Sequence, residues 1–134
     1  MEIFEKTKER FKSDCFATEV VGIEILDVKK SWAKCKLDIT PKHLNARGSI
    51  MGGVIFTLAD FAFAVAANTG DYHTVTVESH MSFLNEAKGN ILYAETHLEK
   101  EGHRLCTFRI NIVDELGIKV ATSTISGMRL SDKI

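Results

Sequence analysis

The sequence predicts an α+β domain in which one antiparallel sheet of about six strands curls around a single long helix. Three observations carry that expectation. Residues 50–69 are nearly all apolar or small and hold one charge, Asp60. Outside that run, six segments alternate apolar and polar side chains with period two, the pattern of half-buried strands. The strands gather before and after the long run instead of interleaving with further helices, which separates α+β from alternating α/β folds.

Residues 2–12 read as an amphipathic helix with Ile3, Phe4 and Phe11 on its apolar stripe, ended by Ser13-Asp14. Residues 18–29 alternate, with Val21, Ile23 and Ile25 on one side, and residues 31–39 alternate again, Trp32 against Lys34, Lys36 and Asp38. These are expected to be two antiparallel strands with a turn near Lys29-Lys30. A loop follows that holds the only proline, Pro41. The long helix is expected over 51–68, with Ser49 as a candidate N-cap and Gly70-Asp71 closing it. Segments 73–84, 91–100, 103–113 and 118–129 complete the strands, and Lys88-Gly89-Asn90, Glu101-Gly102 and residues 114–117 supply the turns between them. Neither repeats nor linkers appear, so residues 1–134 form one domain, with 1–14 as its N-terminal helix. A sheet wrapped around one helix leaves strand edges open, and pairing across a two-fold closes them.

Composition narrows the function. Lys plus Arg is 17 and Asp plus Glu is 18, so the net charge of -1 offers no basic excess for phosphate backbones, and nucleic acid is not an expected partner. The cysteines, at 15, 35 and 106, are odd in number and widely spaced, as expected of reduced, packed thiols. The histidines, at 43, 73, 80, 97 and 103, lack HExxH or HxxxH spacing, so no metal site is expected. His43 and His80 read as satisfied core or surface side chains. The charged N-terminal stretch is unlike an apolar signal core, and a cytoplasmic location is expected. The 50–69 run is long enough to span a bilayer, but Asp60 sits near its middle, Gly52-Gly53 near its start, and no positive cluster flanks it. No membrane partner is expected. The run reads as a helix wrapped by the rest of its own protein.

Asp60 is the residue that asks for chemistry. A carboxylate among Phe56, Leu58, Ala59, Phe61, Ala62 and Phe63 is costly unless it is paired or used. It either escapes to solvent or caps backbone, or it faces a cleft as a general base or nucleophile. At the helix start, Gly52 and Gly53 leave backbone N–H groups open to close approach, and the positive helix end suits a developing oxyanion. The same glycines also suit tight helix–sheet packing. Eight residues separate Gly52 from Asp60, about 12 Å along a helix axis. One helix cannot bring both groups to one carbonyl, whereas two helices facing each other across a two-fold can. A dimer is therefore the expected minimum active unit.

The run His43-Leu44-Asn45-Ala46-Arg47-Gly48-Ser49-Ile50-Met51-Gly52-Gly53, followed by Leu58-Ala59-Asp60, resembles the signature of hotdog-fold acyl-CoA thioesterases of the phenylacetic-acid-degradation type. Val75-Thr76-Val77-Glu78 through Phe83-Leu84 and Ala87, Gly102 to Arg104, and Asp114 to Ala121 are similar to that family's later strands and hairpins, so the resemblance covers roughly residues 18–128. It implies that Asp60 is the catalytic carboxylate and that the Gly52 N–H polarises the thioester carbonyl. Asn45 would hold water or the carbonyl, and Thr76 would assist the carboxylate. It further implies that Asn45 and Gly52 act with Asp60 and Thr76 of the other subunit, in homodimers that pair into homotetramers. The family carries His before the glycine pair where this chain has Met51, and methionine donates no hydrogen bond. Met51 and Gly53 are expected beside the substrate, Lys88, His103 and Arg104 near the CoA phosphates, and Phe56, Phe61 and Phe63 at the acyl pocket or in plain core. CoA belongs to the substrate, so no cofactor is expected. The rival readings are a non-catalytic acyl-CoA sensor, a hydratase of the same fold and a purely structural dimer.

Overall fold

A computed structural model describes residues 2–134. The chain runs α1 (Ile3–Phe11), a π-helical turn (Phe16–Val21), β1 (Glu24–Lys29), β2 (Trp32–Asp38), a 3-10 turn (Pro41–His43), α2 (Gly52–Ala67), β3 (Tyr72–Phe83), β4 (Ile91–Glu101), β5 (Leu105–Asp114) and β6 (Lys119–Lys133). The strands form one antiparallel sheet in the order β1-β2-β4-β5-β6-β3. The α+β class, the six strands and the central helix agree with expectation.

The core forms where α2 lies on the concave sheet face. Leu58, Ala62 and Val65 are fully enclosed, as are Leu37, Leu92, Ile110 and Ile125 on the strands. Phe63 meets Phe108 edge-on, with ring centroids 5.6 Å apart. Burying each such aliphatic or aromatic side chain contributes roughly 1.5–3 kcal/mol. The helix is not wrapped on all sides, however. Gly53, Phe56, Thr57, Asp60 and Ala64 lie at successive three- and four-residue steps along α2 and are exposed or half-buried. Phe56 retains 40% of its surface. This open stripe carries the helix's one charge.

The sequence expectation fails at three places. Residues 18–23 are not strand. Gly22 N and Ile23 N both donate to Ala17 O, at 3.0 and 2.9 Å, so the chain makes a wide π turn that ends at Gly22 with φ +91°. The relevant pairs are Ala17 and Val21, buried, and Phe16 and Val20, exposed: a helical four-residue spacing. Trp32 does not oppose the polar residues of β2. It shares the outer face with Lys34 and Lys36, while Ala33, Cys35 and Leu37 point inward. Trp32 Nε1 donates to Glu95 at 3.1 Å, which satisfies the indole there. Ser49 does not cap α2 either: Met51 is the N-cap residue, and no side chain caps it.

One irregularity decides where β3 points its side chains. Thr76 pairs with Gly127 and Glu78 with Ser126, so Val77 is an extra residue in the ladder. The bulge shifts the alternation. Thr74 and Thr76 on one side of it, and Ser79, Met81 and Phe83 on the other, all lie opposite the inward positions of β6 (Ala121, Ser123, Ile125, Gly127 and Arg129). Without the bulge Thr76 would share a face with Glu78 and His80. Asn68 locks this geometry: its Oδ1 accepts Thr74 N at 2.8 Å, and its Nδ2 donates to Ala64 O at 2.7 Å and to Thr74 O at 3.2 Å. Arg10 donates to Asn68 O and caps the same helix end.

Gly127 allows β3, β6 and α2 to meet. A Cβ there would lie 2.7 Å from Phe63 Cζ, 2.9 Å from Thr74 Cγ2 and 3.0 Å from Val75 O. Gly127→Ala is expected to destabilise the fold by about 1–3 kcal/mol, read as a lowered denaturant midpoint at unchanged m-value. An unchanged midpoint would show that the junction yields freely.

Candidate active site

The first group of candidate residues surrounds the start of α2. The loop before it is a tight turn: Asn45 N donates to Ser49 O at 2.7 Å, and Gly48 N to Asn45 O at 2.9 Å with Gly48 at φ +82°. Asn45 Oδ1 accepts Arg47 N at 2.9 Å and Ser49 N at 3.1 Å. Its oxygen is thereby committed to the backbone, and its NH2 has no partner among the described residues. Val54 N and Ile55 N both turn back to Met51 O, at 3.0 and 3.4 Å, whereas the Gly52 and Gly53 amides have no acceptor among the described residues. Asn45 and Gly52 line one cleft of about 770 Å³, with Leu44, Ile50, Ile55, Phe83, Leu84 and Val120 supplying apolar wall. Phe83 Cζ lies 3.4 Å from where a Gly52 Cβ would be. The cleft thus offers backbone and carboxamide donors in an apolar surround, the arrangement that stabilises negative charge on a carbonyl oxygen. Met51 and Gly53, expected beside the substrate, are exposed next to Gly52 but do not line this cleft, and the Met51 thioether offers no donor.

The second group lies further along α2. Asp60 is half-buried on the open stripe, and Thr76 lies on the face of β3 turned toward α2. Burial pushes the Asp60 carboxyl above the usual carboxylate range, the charge of Asp14 pushes it the same way, and the Thr76 hydroxyl pulls it back in part. Asp14 reaches this position because Phe11 packs edge-on against Phe61, with centroids 5.5 Å apart, and so fixes the end of α1 beside the residue after Asp60. Neither Asp60 nor Thr76 lines the Gly52 cleft. Within one chain the two groups of candidate residues are separate.

The residues expected near CoA phosphates are also divided. Lys88 lies in the β3–β4 connection, at the end of the sheet opposite the β4–β5 turn that holds His103 and Arg104, about 30 Å away along β4. His103 and Arg104 line a second cleft of about 670 Å³, together with Lys30 and Arg129, which sequence reading missed. Arg129 Nη1 donates to His103 O at 3.2 Å and Nη2 to Glu101 at 3.1 Å. His43 is buried and fully used: Nδ1 accepts Thr40 N at 3.0 Å, and Nε2 donates to Val21 O at 2.7 Å. His80 is exposed on the outer face of β3, opposite to the face that carries Thr76. Phe61 and Phe63 are core, and Phe56 alone of the three helix phenylalanines faces outward.

Residues 47–121 match the model of the thioesterase superfamily. The chain belongs to the thioesterase superfamily. A putative esterase of Deinococcus radiodurans is 42% identical over 95 residues, which are 70% of this chain and 64% of that protein. The chain therefore spans less than two thirds of that relative's length. The acyl-coenzyme A thioesterase PaaI of Escherichia coli K12 is 29% identical over 106 residues, covering 78% of this chain and 75% of that protein. The structure of the E. coli PaaI protein from the phenylacetic acid degradation operon superposes with TM-score 0.90 at 24% identity over 97% of this chain and 95% of that one, which establishes the hotdog fold. Residues 47–121 include Gly52, Asp60 and Thr76, while Asn45 lies just outside the matched span.

The raised Asp60 carboxyl has a signed consequence. The native protein keeps this proton over a pH window in which the unfolded chain has lost it. Stability therefore falls as pH rises through that window, and the ionised group costs stability at neutral pH. Asp60→Asn is expected to raise Tm at pH 7, with no gain at a pH below the ordinary carboxylate range. In carboxyl NMR titrations, Thr76→Ala should move the Asp60 midpoint up and Asp14→Asn should move it down. Midpoints that do not move would remove both neighbours from its environment.

Proposed function

We propose that the protein hydrolyses acyl-CoA thioesters as a dimer at minimum. The Gly52 and Asn45 half-site of one subunit would face the Asp60 and Thr76 half-site of the other. The observation that carries this reading is the division of the two half-sites along one rigid helix, each incomplete by itself. Two features support a second copy as the missing wall. The β3 edge is twelve residues long and pairs on one side only, and Val75 and Val77 retain 42% and 53% of their surface along it. Beside it runs the open stripe of α2. Antiparallel pairing of two β3 edges would continue the sheet and bring the two stripes together. The family resemblance adds a tetramer made of two such dimers.

In this site the thioester oxygen takes the Gly52 N–H and the Asn45 NH2. Asp60, ionised and held by Thr76, accepts a proton from water as the water oxygen bonds to the carbonyl carbon. Collapse of the tetrahedral intermediate breaks the C–S bond, and the CoA thiolate leaves with the free acid as co-product. Donors preorganised at the helix start would supply roughly 3–4 kcal/mol. For the CoA phosphates, the cleft of Lys30, His103, Arg104 and Arg129 fits better than Lys88. It lies just beyond the C-terminal end of α2, about 10–15 Å from Asp60 along the helix, a span that an extended pantetheine arm covers. The acyl group would be an aryl or fatty chain, in keeping with the apolar walls and the exposed Phe56 on the Asp60 stripe. The location would be cytoplasmic; no helix among the described residues is long and apolar enough to cross a membrane. A second reading, a non-catalytic acyl-CoA sensor, is favoured by Met51 in place of the family histidine.

An acyl-CoA panel with free-thiol detection tests the reading. Turnover should be readily detected for aryl or fatty acyl groups, and Asp60→Ala should lower it by at least about a hundredfold while the oligomer persists. Saturable binding without thiol release would establish the sensor instead. Hydrolysis in heavy-oxygen water should place the label in the acid on the first turnover; label in the protein would mean direct attack by Asp60. Asp60→Ala and Asn45→Ala chains, each poorly active, should recover about a quarter of wild-type activity when refolded together, because random pairing makes half the dimers mixed and each mixed dimer holds one intact site. No recovery would place all four groups within one chain.

A further inference from the structure

The catalytic reading leaves one cluster in the Gly52 cleft unexplained: Ser49, Glu86 and Arg47. Ser49 Oγ donates to Glu86 Oε1 at 2.7 Å, and Arg47 Nη2 lies 3.5 Å from the same oxygen. All three residues line the cleft with Asn45. We propose that Glu86 is a positioning residue for Asn45, acting through Ser49, so that the free NH2 of the Asn45 carboxamide is held at the thioester oxygen. This inference rests on the thioesterase reading and adds a residue to it.

The geometry has two parts. The first is the loop. Asn45 Oδ1 is bound by Arg47 N and Ser49 N, so the carboxamide orientation follows wherever residues 47 and 49 go. The turn is flanked by the buried His43 and by Ile50, which packs on the core, and within residues 45–49 the side chains of Ser49 and Arg47 make the hydrogen bonds that reach beyond the turn itself.

The second part is what they tie it to. The β3–β4 connection that carries Glu86 is fastened on both sides. Before Glu86, Leu84 N donates to Val120 O at 2.8 Å and Asn85 Nδ2 to Lys119 O at 2.8 Å. After it, Asp114 Oδ2 accepts Lys88 N at 2.8 Å and Gly89 N at 3.0 Å, while Glu115 takes Asn90 N at 2.8 Å. Asp114 is itself buried, and its Oδ1 accepts Leu116 N at 3.0 Å and Ile118 N at 2.9 Å. Glu86 is therefore a post on a braced span, and Ser49 hooks the donor loop to it. The Arg47 contact is long and solvent-exposed and adds little. The Ser49 bond, short and to a carboxylate, is the coupling element. A hydroxyl needs only an acceptor, so Glu86→Gln keeps the hook while removing the charge.

The test uses Ser49→Ala, Glu86→Ala and Glu86→Gln in the full chain, with the acyl-CoA that wild type turns over fastest. Ser49→Ala and Glu86→Ala are each expected to lower kcat about tenfold with KM within about twofold, and Glu86→Gln to keep most of kcat. The double variant Ser49→Ala/Glu86→Ala should be no slower than the slower single, and Glu86→Ala should cost nothing further in an Asn45→Ala background. The side-chain amide signals of Asn45 in the ¹⁵N NMR spectrum, assigned by their loss in Asn45→Ala, should shift or broaden in Ser49→Ala and Glu86→Ala and stay in place in Glu86→Gln. That readout needs no turnover, so it tests the coupling even where the thioesterase reading fails. Unmoved Asn45 signals, a KM effect at unchanged kcat, or additive losses in the Asn45→Ala background would overturn the proposal. If Glu86→Ala fails to fold, Ser49→Ala and Glu86→Gln decide it alone.

Discussion

A helix is a rigid spacer, and that rigidity governs the site. The donors at the start of α2 and the carboxylate at its middle are carried by one rod, so no side-chain motion within a chain brings them to the same atom. The rest of the architecture follows from that separation. The sheet encloses only one flank of α2, which leaves Asp60 on an open stripe. The edge strand beside the stripe is long and paired on one side only. The cleft around Gly52 stops short of Asp60.

Each group of candidate residues is held by an adjustment in the sheet or its connections instead of by the helix alone. On the carboxylate side, the bulge at Val77 turns Thr76 toward α2, Asn68 pins the start of β3 to the helix end, and Gly127 lets the three elements meet. On the donor side, the buried His43 ties the π turn to the loop before α2, and Asn45 spends its oxygen on two backbone amides so that only its NH2 is free. Polar groups in both places are committed to partners, which is the condition for holding a few donors in a fixed direction inside an apolar surround.

Much of this was legible in the sequence because it rests on periodicity and rarity. Period-two segments gave the strands, the long uncharged run gave the helix, and a lone aspartate in that run marked the centre of interest. Residue counting along the helix was enough to expect Gly52 and Asp60 to lie apart within one chain. What was not legible depends on register and on the third dimension. The alternation of residues 18–23 mimics a strand because Val20, Val21 and Ile23 are β-branched, and only the Gly22 left-handed turn and the wide Ala17 hydrogen bonds reveal the π turn. A bulge inverts the face of every residue past it, so simple alternation cannot place Thr76 and Ser79 on one side. Asp14, Glu86 and Arg129 come from segments far along the chain from the motif, and each looks like an ordinary surface charge until the fold brings it to a cleft or beside Asp60.

Met51 gives the two halves different characters. The two donors proposed for the thioester oxygen are amides, one main-chain and one carboxamide, and such groups neither gain nor lose protons in water near neutrality. An imidazole at position 51 would have made that end sensitive to acidity; a thioether does not. Of the four groups proposed to act on the thioester, only the Asp60 carboxylate therefore responds to acidity, and the polarity of the donor pair is written permanently into its covalent bonds.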